Sequence, residues 1–107
     1  MSKLSRTKGH SFERWVAAKF RSIFPEVKRH LEFQKEEAQG FDLDNTGKLA
    51  IQCKAYKQYA PITKIEEVRA PGKIPALVTK GDRKPAVICM YLDDFLKIAH
   101  DIGELHE

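Results

Sequence analysis

Gly40-Phe41-Asp42-Leu43-Asp44-Asn45-Thr46-Gly47-Lys48-Leu49-Ala50-Ile51-Gln52-Cys53-Lys54-Ala55 is the stretch that decides the fold. Its second half alternates. Leu49, Ile51 and Cys53 fall on one side of an extended chain, and Ala50, Gln52 and Lys54 on the other. Asn45-Thr46-Gly47 reads as a turn. Phe41–Asp44 then reads as a short strand that returns beside Leu49–Ala55. Counting back from the turn sets Asp42 opposite Ile51 or Gln52. A one-residue slip would expose Leu49, Ile51 and Cys53, so the pattern itself fixes the register.

Working outward, Phe12, Trp15, Val16, Phe20, Ile23 and Phe24 recur at spacings of three and four. They predict a helix from about Lys8 to Phe24, ended by Pro25. Val27–Gln34 reads as a strand and 35–40 as a polar loop. After the hairpin, Thr63 and Glu66 have capping-box spacing and predict a helix over Lys64–Ala70, stopped by Pro71-Gly72. Ala76–Thr79 reads as a strand with Pro75 at its edge or start. Ala86–Tyr91 is apolar throughout and reads as a central strand. Asp93 is the expected cap of a final helix through Ile102. The expected architecture is α/β in the order α-β-β-β-α-β-β-α, with one mixed central sheet of about five strands flanked by helices.

The chain has 107 residues, which predicts a single domain over 1–107 with 1–7 flexible. No apolar run reaches the length of a membrane helix, and Glu13 and Arg14 interrupt any leader-like stretch. The expected compartment is the cytoplasm, with no membrane partner. Cys53 and Cys89 read as free thiols, and the His and Cys spacing fits no zinc site. No phosphate-cradling glycine loop or nucleophile elbow is present.

Charge is segregated. Residues 1–92 carry a net +8 and residues 93–107 a net −4, for +4 overall with His neutral. A basic body suits a polyanion, and nucleic acid heads that class. Candidate phosphate contacts are Arg6, Lys8, Arg14, Lys35, Lys57 and Lys80, with Lys28, Arg29 and Lys64 as further options. Tyr56 and Tyr59 flank Lys57, positioned to stack on unpaired bases or to cover an apolar rim.

The hairpin predicts a polar cluster of Asp42, Gln52 and Lys54, joined by Glu13 from the first helix. Asp42 is a hard oxygen ligand suited to Mg²⁺, with Mn²⁺ as substitute. The Gln52 amide oxygen and the Cys53 carbonyl would add to it. Lys54 would offset charge at a phosphoryl centre. The plain alternative pairs Asp42 with Lys54 across the strands, leaves Gln52 a polar edge residue and Glu13 solvated, and keeps Cys53 in the core.

Glu13 on an opening helix, Gly40-Phe41-Asp42-Leu43, and Ile51-Gln52-Cys53-Lys54 together resemble the PD-(D/E)XK nuclease superfamily. The nearest likenesses are Mrr-like restriction endonucleases and the phage and archaeal Holliday junction resolvases, whose lead-in Lys8-Gly9-His10-Ser11-Phe12 resembles. The resemblance implies a restriction-endonuclease-like core and a divalent-metal-dependent endonuclease hydrolysing DNA phosphodiester bonds, selective for branched or distorted DNA in recombination. It assigns catalysis to Glu13, Asp42, Gln52 and Lys54, and metal ligation to Asp42, Gln52, Cys53 and Glu13. Gln52 departs from the usual acidic residue, with Glu36 or Glu37 as possible compensation. That departure leaves an inactive DNA-binding module as the second reading, and a cationic interaction protein as the third. A two-fold homodimer is the expected assembly, with Met90, Tyr91, Phe95 and Ile98 contributing to its interface.

Overall fold

The computed structural model describes residues 3–31 and 39–107, with side chains from residue 8 onward. Helix α1 spans Lys3–Phe20. It starts before the expected Lys8 and stops four residues short of Phe24, where Phe24 N–H still bonds to the Phe20 carbonyl at 2.8 Å. Phe12, Val16 and Ala17 form its buried stripe. Strand β1 is Lys28–Arg29 and β2 is Leu43–Asp44, paired antiparallel. Strand β3, Leu49–Ala55, runs parallel to β4, Ile74–Lys80. A 3₁₀ turn over Ile62–Glu67 makes the crossover. Strand β5, Val87–Cys89, lies antiparallel to β4. Helix α2 spans Leu92–Ala99, followed by a 3₁₀ turn at Gly103–His106.

The expected continuous sheet of about five strands is not what forms. Strands β1 and β2 make one two-stranded sheet, and β3, β4 and β5 make another in the order β3-β4-β5. The restriction-endonuclease-like core is corrected accordingly. The reason lies at Asp42. Its N–H bonds to the Ile51 carbonyl at 2.7 Å, but its side chain then takes the next β3 donor, the Cys53 N–H, at 2.7 Å. A carboxylate thus occupies the place where a neighbouring strand would offer a carbonyl, and no ladder forms between β2 and β3.

Side-chain parity explains the layers. Ile51 and Cys53 of β3 stand beside Ala76 and Val78 of β4, and all four pack with Phe12, Val16 and Ala17 of α1. The opposite face carries Gln52 and Leu77, with Leu77 against Ala60 and Ile65 of the crossover. Pro75 is the second residue of β4. Ile74 N–H bonds toward β3, at Lys48 O, so the Pro75 nitrogen faces the other way, where β5 reaches only Leu77–Thr79. No ladder donor is lost there.

Three local expectations change. The crossover is 3₁₀ rather than α, starts behind Pro61, and has no side-chain cap, so Thr63 and Glu66 form no capping box. Strand β5 lies at an edge rather than centrally, with Val87 and Ile88 exposed. Helix α2 begins behind Tyr91, without an Asp93 cap.

Candidate functional site

Two glycines bring the polar residues together. Gly40 has φ +76°, and a Cβ there would lie 2.3 Å from the Glu67 carbonyl oxygen. Only glycine allows this approach. It holds residues 39–42 against the crossover, where Arg69 N–H bonds to Gln39 O at 2.7 Å. Gly81 makes a tight but less restrictive approach at the far end of the sheet, where a Cβ would meet Lys57 O at 3.2 Å.

On the crossover face, Gln52 is 1% exposed. Its Nε2 donates to Glu67 Oε1 at 3.3 Å, while its Oε1 has no partner among the described residues. Lys64 Nζ donates to Glu67 Oε2 at 3.0 Å. This hydrogen bond, chiefly, holds the Glu67 carboxyl below its ordinary value; desolvation opposes it, and the charges of Lys64 and Lys54 and the Gln52 amide assist. The same bond raises Lys64, with the Glu67 charge and Tyr56 adding to it. Gln52 therefore bonds to Glu67, a residue the sequence reading passed over, which also feels the charge of Lys54.

Asp42 is buried and structural in its contacts. Besides its two bonds to β3, its carbonyl accepts the His30 N–H at 2.8 Å. Glu13 is also buried, not solvated, and its Oε1 accepts Arg29 Nε at 3.0 Å, which ties α1 to β1. Beside it, His30 Nδ1 and Asp44 Oδ1 lie 2.7 Å apart. Cys53 is a buried free thiol in the α1 core.

These partners correct the nuclease reading. Among the described residues no group of three or more His, Cys, Asp or Glu side chains is arranged to hold a metal ion. Glu13 is turned to Arg29 and Asp42 to the Cys53 amide, while Gln52 donates to Glu67. The Mg²⁺ or Mn²⁺ site expected from Asp42, Gln52, Cys53 and Glu13 is thus absent, and with it the metal-dependent endonuclease chemistry assigned to Glu13, Asp42, Gln52 and Lys54. The likeness to the PD-(D/E)XK superfamily, including its Mrr-like and resolvase branches, is overturned by the two separate sheets as well.

The cations are arranged more tellingly. At the carboxyl ends of the parallel strands, Tyr56 N–H bonds to Lys80 O at 3.1 Å and Asp82 N–H to Lys57 O at 2.9 Å. The loops 56–59 and 80–85 therefore form one rim. Lys57 and Arg83 are exposed on it. Lys84 Nζ donates to Gln58 Oε1 at 2.6 Å and lies 5.3 Å from the centre of the Tyr59 ring. Lys80 Nζ bonds only weakly, to Gly81 O at 3.4 Å. Lys8 reaches the rim from α1, 3.6 Å from Asp82. Tyr56 is exposed beside Lys57, while the Tyr59 hydroxyl donates to Pro85 O at 2.8 Å.

Of the expected phosphate contacts, Lys8, Tyr56, Lys57 and Lys80 are collected here. Arg14 stays on α1, 3.5 Å from Ser11 Oγ. The Arg6 side chain and all of Lys35, Glu36 and Glu37 lie outside the described residues. Arg83 and Lys84 were missed. The signal was the run Lys80-Gly81-Asp82-Arg83-Lys84, whose cations gain meaning only when this turn is set against residues 57–58. No helix among the described residues is long and apolar enough to cross a membrane. No protein-family model, curated protein or solved structure matches this chain.

Proposed function

We propose that this domain is a DNA-binding module that grips the phosphate backbone with the rim formed by residues 56–59 and 80–85. The observation that carries the reading is that Lys57, Lys80, Arg83 and Lys84 share one rim, joined by Lys8 from α1, while Asp82 is the single carboxylate of residues 56–59 and 80–85. The rim lies at the carboxyl ends of parallel strands, a usual place for ligands in α/β sheets. Exposed Tyr56 next to Lys57 offers a face on which an unstacked base can rest, which favours distorted or branched DNA over regular duplex. Phosphate contacts carry little base information, so the binding is weakly sequence-selective.

The test is fluorescence anisotropy of labelled duplex and four-way junction DNA across a salt series. Five phosphate contacts give a log–log salt slope of about −4.5 on duplex. Lys57→Ala and Lys84→Ala should each make it shallower by about 0.9. Absence of binding at low salt, or a slope that these variants leave unchanged, would refute the assignment. Tighter binding to the junction than to duplex, reduced by Tyr56→Ala, is the expected shape preference.

A further inference from the structure

Where β2 parts from β3, the surface keeps a cavity of about 250 Å³. Its apolar floor is Phe41, Leu43, Leu49 and Ala50. Leu43 and Ala50 belong to the core, and the Phe41 ring is set against His30 with 4.6 Å between ring centres. The facing wall is a turn. Ala70 O accepts the Lys73 N–H at 3.0 Å, with Pro71 second in the turn and Gly72 third at φ +80°, the residue pattern of a type II turn. Both ends are anchored: Arg69 N–H bonds to Gln39 O at 2.7 Å, and Ile74 N–H to Lys48 O at 2.8 Å. Arg69 and Lys73 flank this turn, and both line the cavity. Neither side chain makes an ion pair or a hydrogen bond among the described residues. No Asp or Glu lines the cavity among the described residues. Glu67, close by in sequence, is turned to Gln52 and Lys64. Asp94 and Asp101 face Lys73 from an adjoining cleft, which also holds Lys48 and Lys97.

We infer that this cavity binds a small phosphate monoester with a flat, ring-sized body. The body lies on the Phe41, Leu49 and Ala50 floor, and the phosphate sits between Arg69 and Lys73. Three observations select this class. The first is size. The cavity falls just below the roughly 300–1,000 Å³ of common ligand pockets, which admits one ring and excludes a packed helix or a folded partner. The second is charge. Two cations with no carboxylate beside them in the cavity match a dianion; the Arg69 guanidinium offers a fork of donors to phosphate oxygens, and the Lys73 ammonium a point charge. The third is the floor. Inorganic phosphate held by the same cations leaves those apolar side chains wet, whereas a flat ring covers them. The anchored turn holds the wall in place before the ligand arrives, so little ordering opposes binding. The cavity lies at the amino ends of β3 and β4, opposite the cationic rim, and the inference does not rest on DNA binding.

The test is NMR of the ¹⁵N-labelled full chain, without DNA, titrated separately with phenyl phosphate, inorganic phosphate and benzyl alcohol. Phenyl phosphate should move the amides of Phe41, Leu49, Ala50, Arg69 and Lys73, with a dissociation constant on the order of 1 mM for so small a ligand. Inorganic phosphate and benzyl alcohol, each lacking one half of the match, should bind about tenfold more weakly or less. Arg69→Gln and Lys73→Gln should each weaken phenyl phosphate about three- to tenfold. Both side chains are exposed, so circular dichroism should remain native in the two variants. Equal affinity for inorganic and phenyl phosphate would overturn the inference, since the floor would then contribute nothing. So would binding that both variants leave unchanged, shifts gathered at residues 56–59 and 80–85 instead, or no shift at all at about ten times the expected constant.

Discussion

Replacing Asp42 with alanine tests whether this carboxylate is a structural tie. The side chain is 9% exposed and its Oδ2 accepts the Cys53 N–H at 2.7 Å, on the β3 edge that has no strand beside it. A hydrogen bond to a charged group contributes about 1.5–3 kcal/mol. Removing the acceptor also leaves a buried N–H to be satisfied, at about 1–3 kcal/mol. The two figures overlap rather than add, and the expected loss is about 2–4 kcal/mol. That is a large part of the roughly 5–15 kcal/mol that holds a domain of this size. Urea unfolding followed by Trp15 fluorescence and circular dichroism measures it. With m at about 2 kcal/mol/M, the midpoint should fall by about 1–2 M at unchanged m. Asp42→Asn keeps an acceptor oxygen and should lose less than half as much. A carboxylate held for function would behave oppositely, because removing such groups often stabilises a fold. An Asp42→Ala midpoint equal to or above wild type would refute the structural assignment.

Other substitutions probe other parts of the account. Gly40→Ala must place a side chain at φ +76° and against the Glu67 carbonyl; a loss of about 2–4 kcal/mol, read as a fall in Tm of about 10 °C or more, is expected. Arg83 sits at φ 59°, so Arg83→Gly should raise stability by about 0.5–1 kcal/mol while weakening DNA binding, an opposition of sign that calorimetry and anisotropy together would reveal. The Glu67 carboxyl should titrate below an ordinary glutamate by carbon-detected NMR and move upward in Lys64→Met; no movement would remove Lys64 as the cause. Because that folded-state value is depressed, the stability it contributes is present above the unfolded glutamate value and is lost as pH falls through the folded one. Lys64 is raised, so its contribution is present below the unfolded lysine value and is lost as pH rises through the folded one.

Strand β3 was legible because one of its faces is wholly apolar and packs on α1, although the opposite face is buried as well, with Gln52 under the crossover. The turn at Asn45-Thr46-Gly47 set Asp42 opposite Ile51 or Gln52, and the backbone bond is made to Ile51. What could not be read is that the Asp42 side chain, rather than a strand, completes the β3 edge; an aspartate beside a strand looks the same whether it ligates, pairs or caps. Strand β5 misled for a related reason. Its apolar run fits a central strand, but Val87 and Ile88 face outward at an edge. The capping-box spacing at Thr63 and Glu66 goes unused, because the 3₁₀ turn starts behind Pro61 with no side-chain cap. Charge segregation along the chain was plain from the sequence. The rim was not, because it joins Lys57 to Asp82 across the parallel crossover.

Titrating ¹⁵N-labelled protein with unlabelled duplex DNA, residue by residue, addresses the binding assignment most directly. The account expects amide shifts concentrated at residues 56–59 and 80–85 and near Lys8, fading as salt is added. Shifts confined to residues 92–107, or to the surroundings of Gln52 and Glu67 with the rim unmoved, would contradict it.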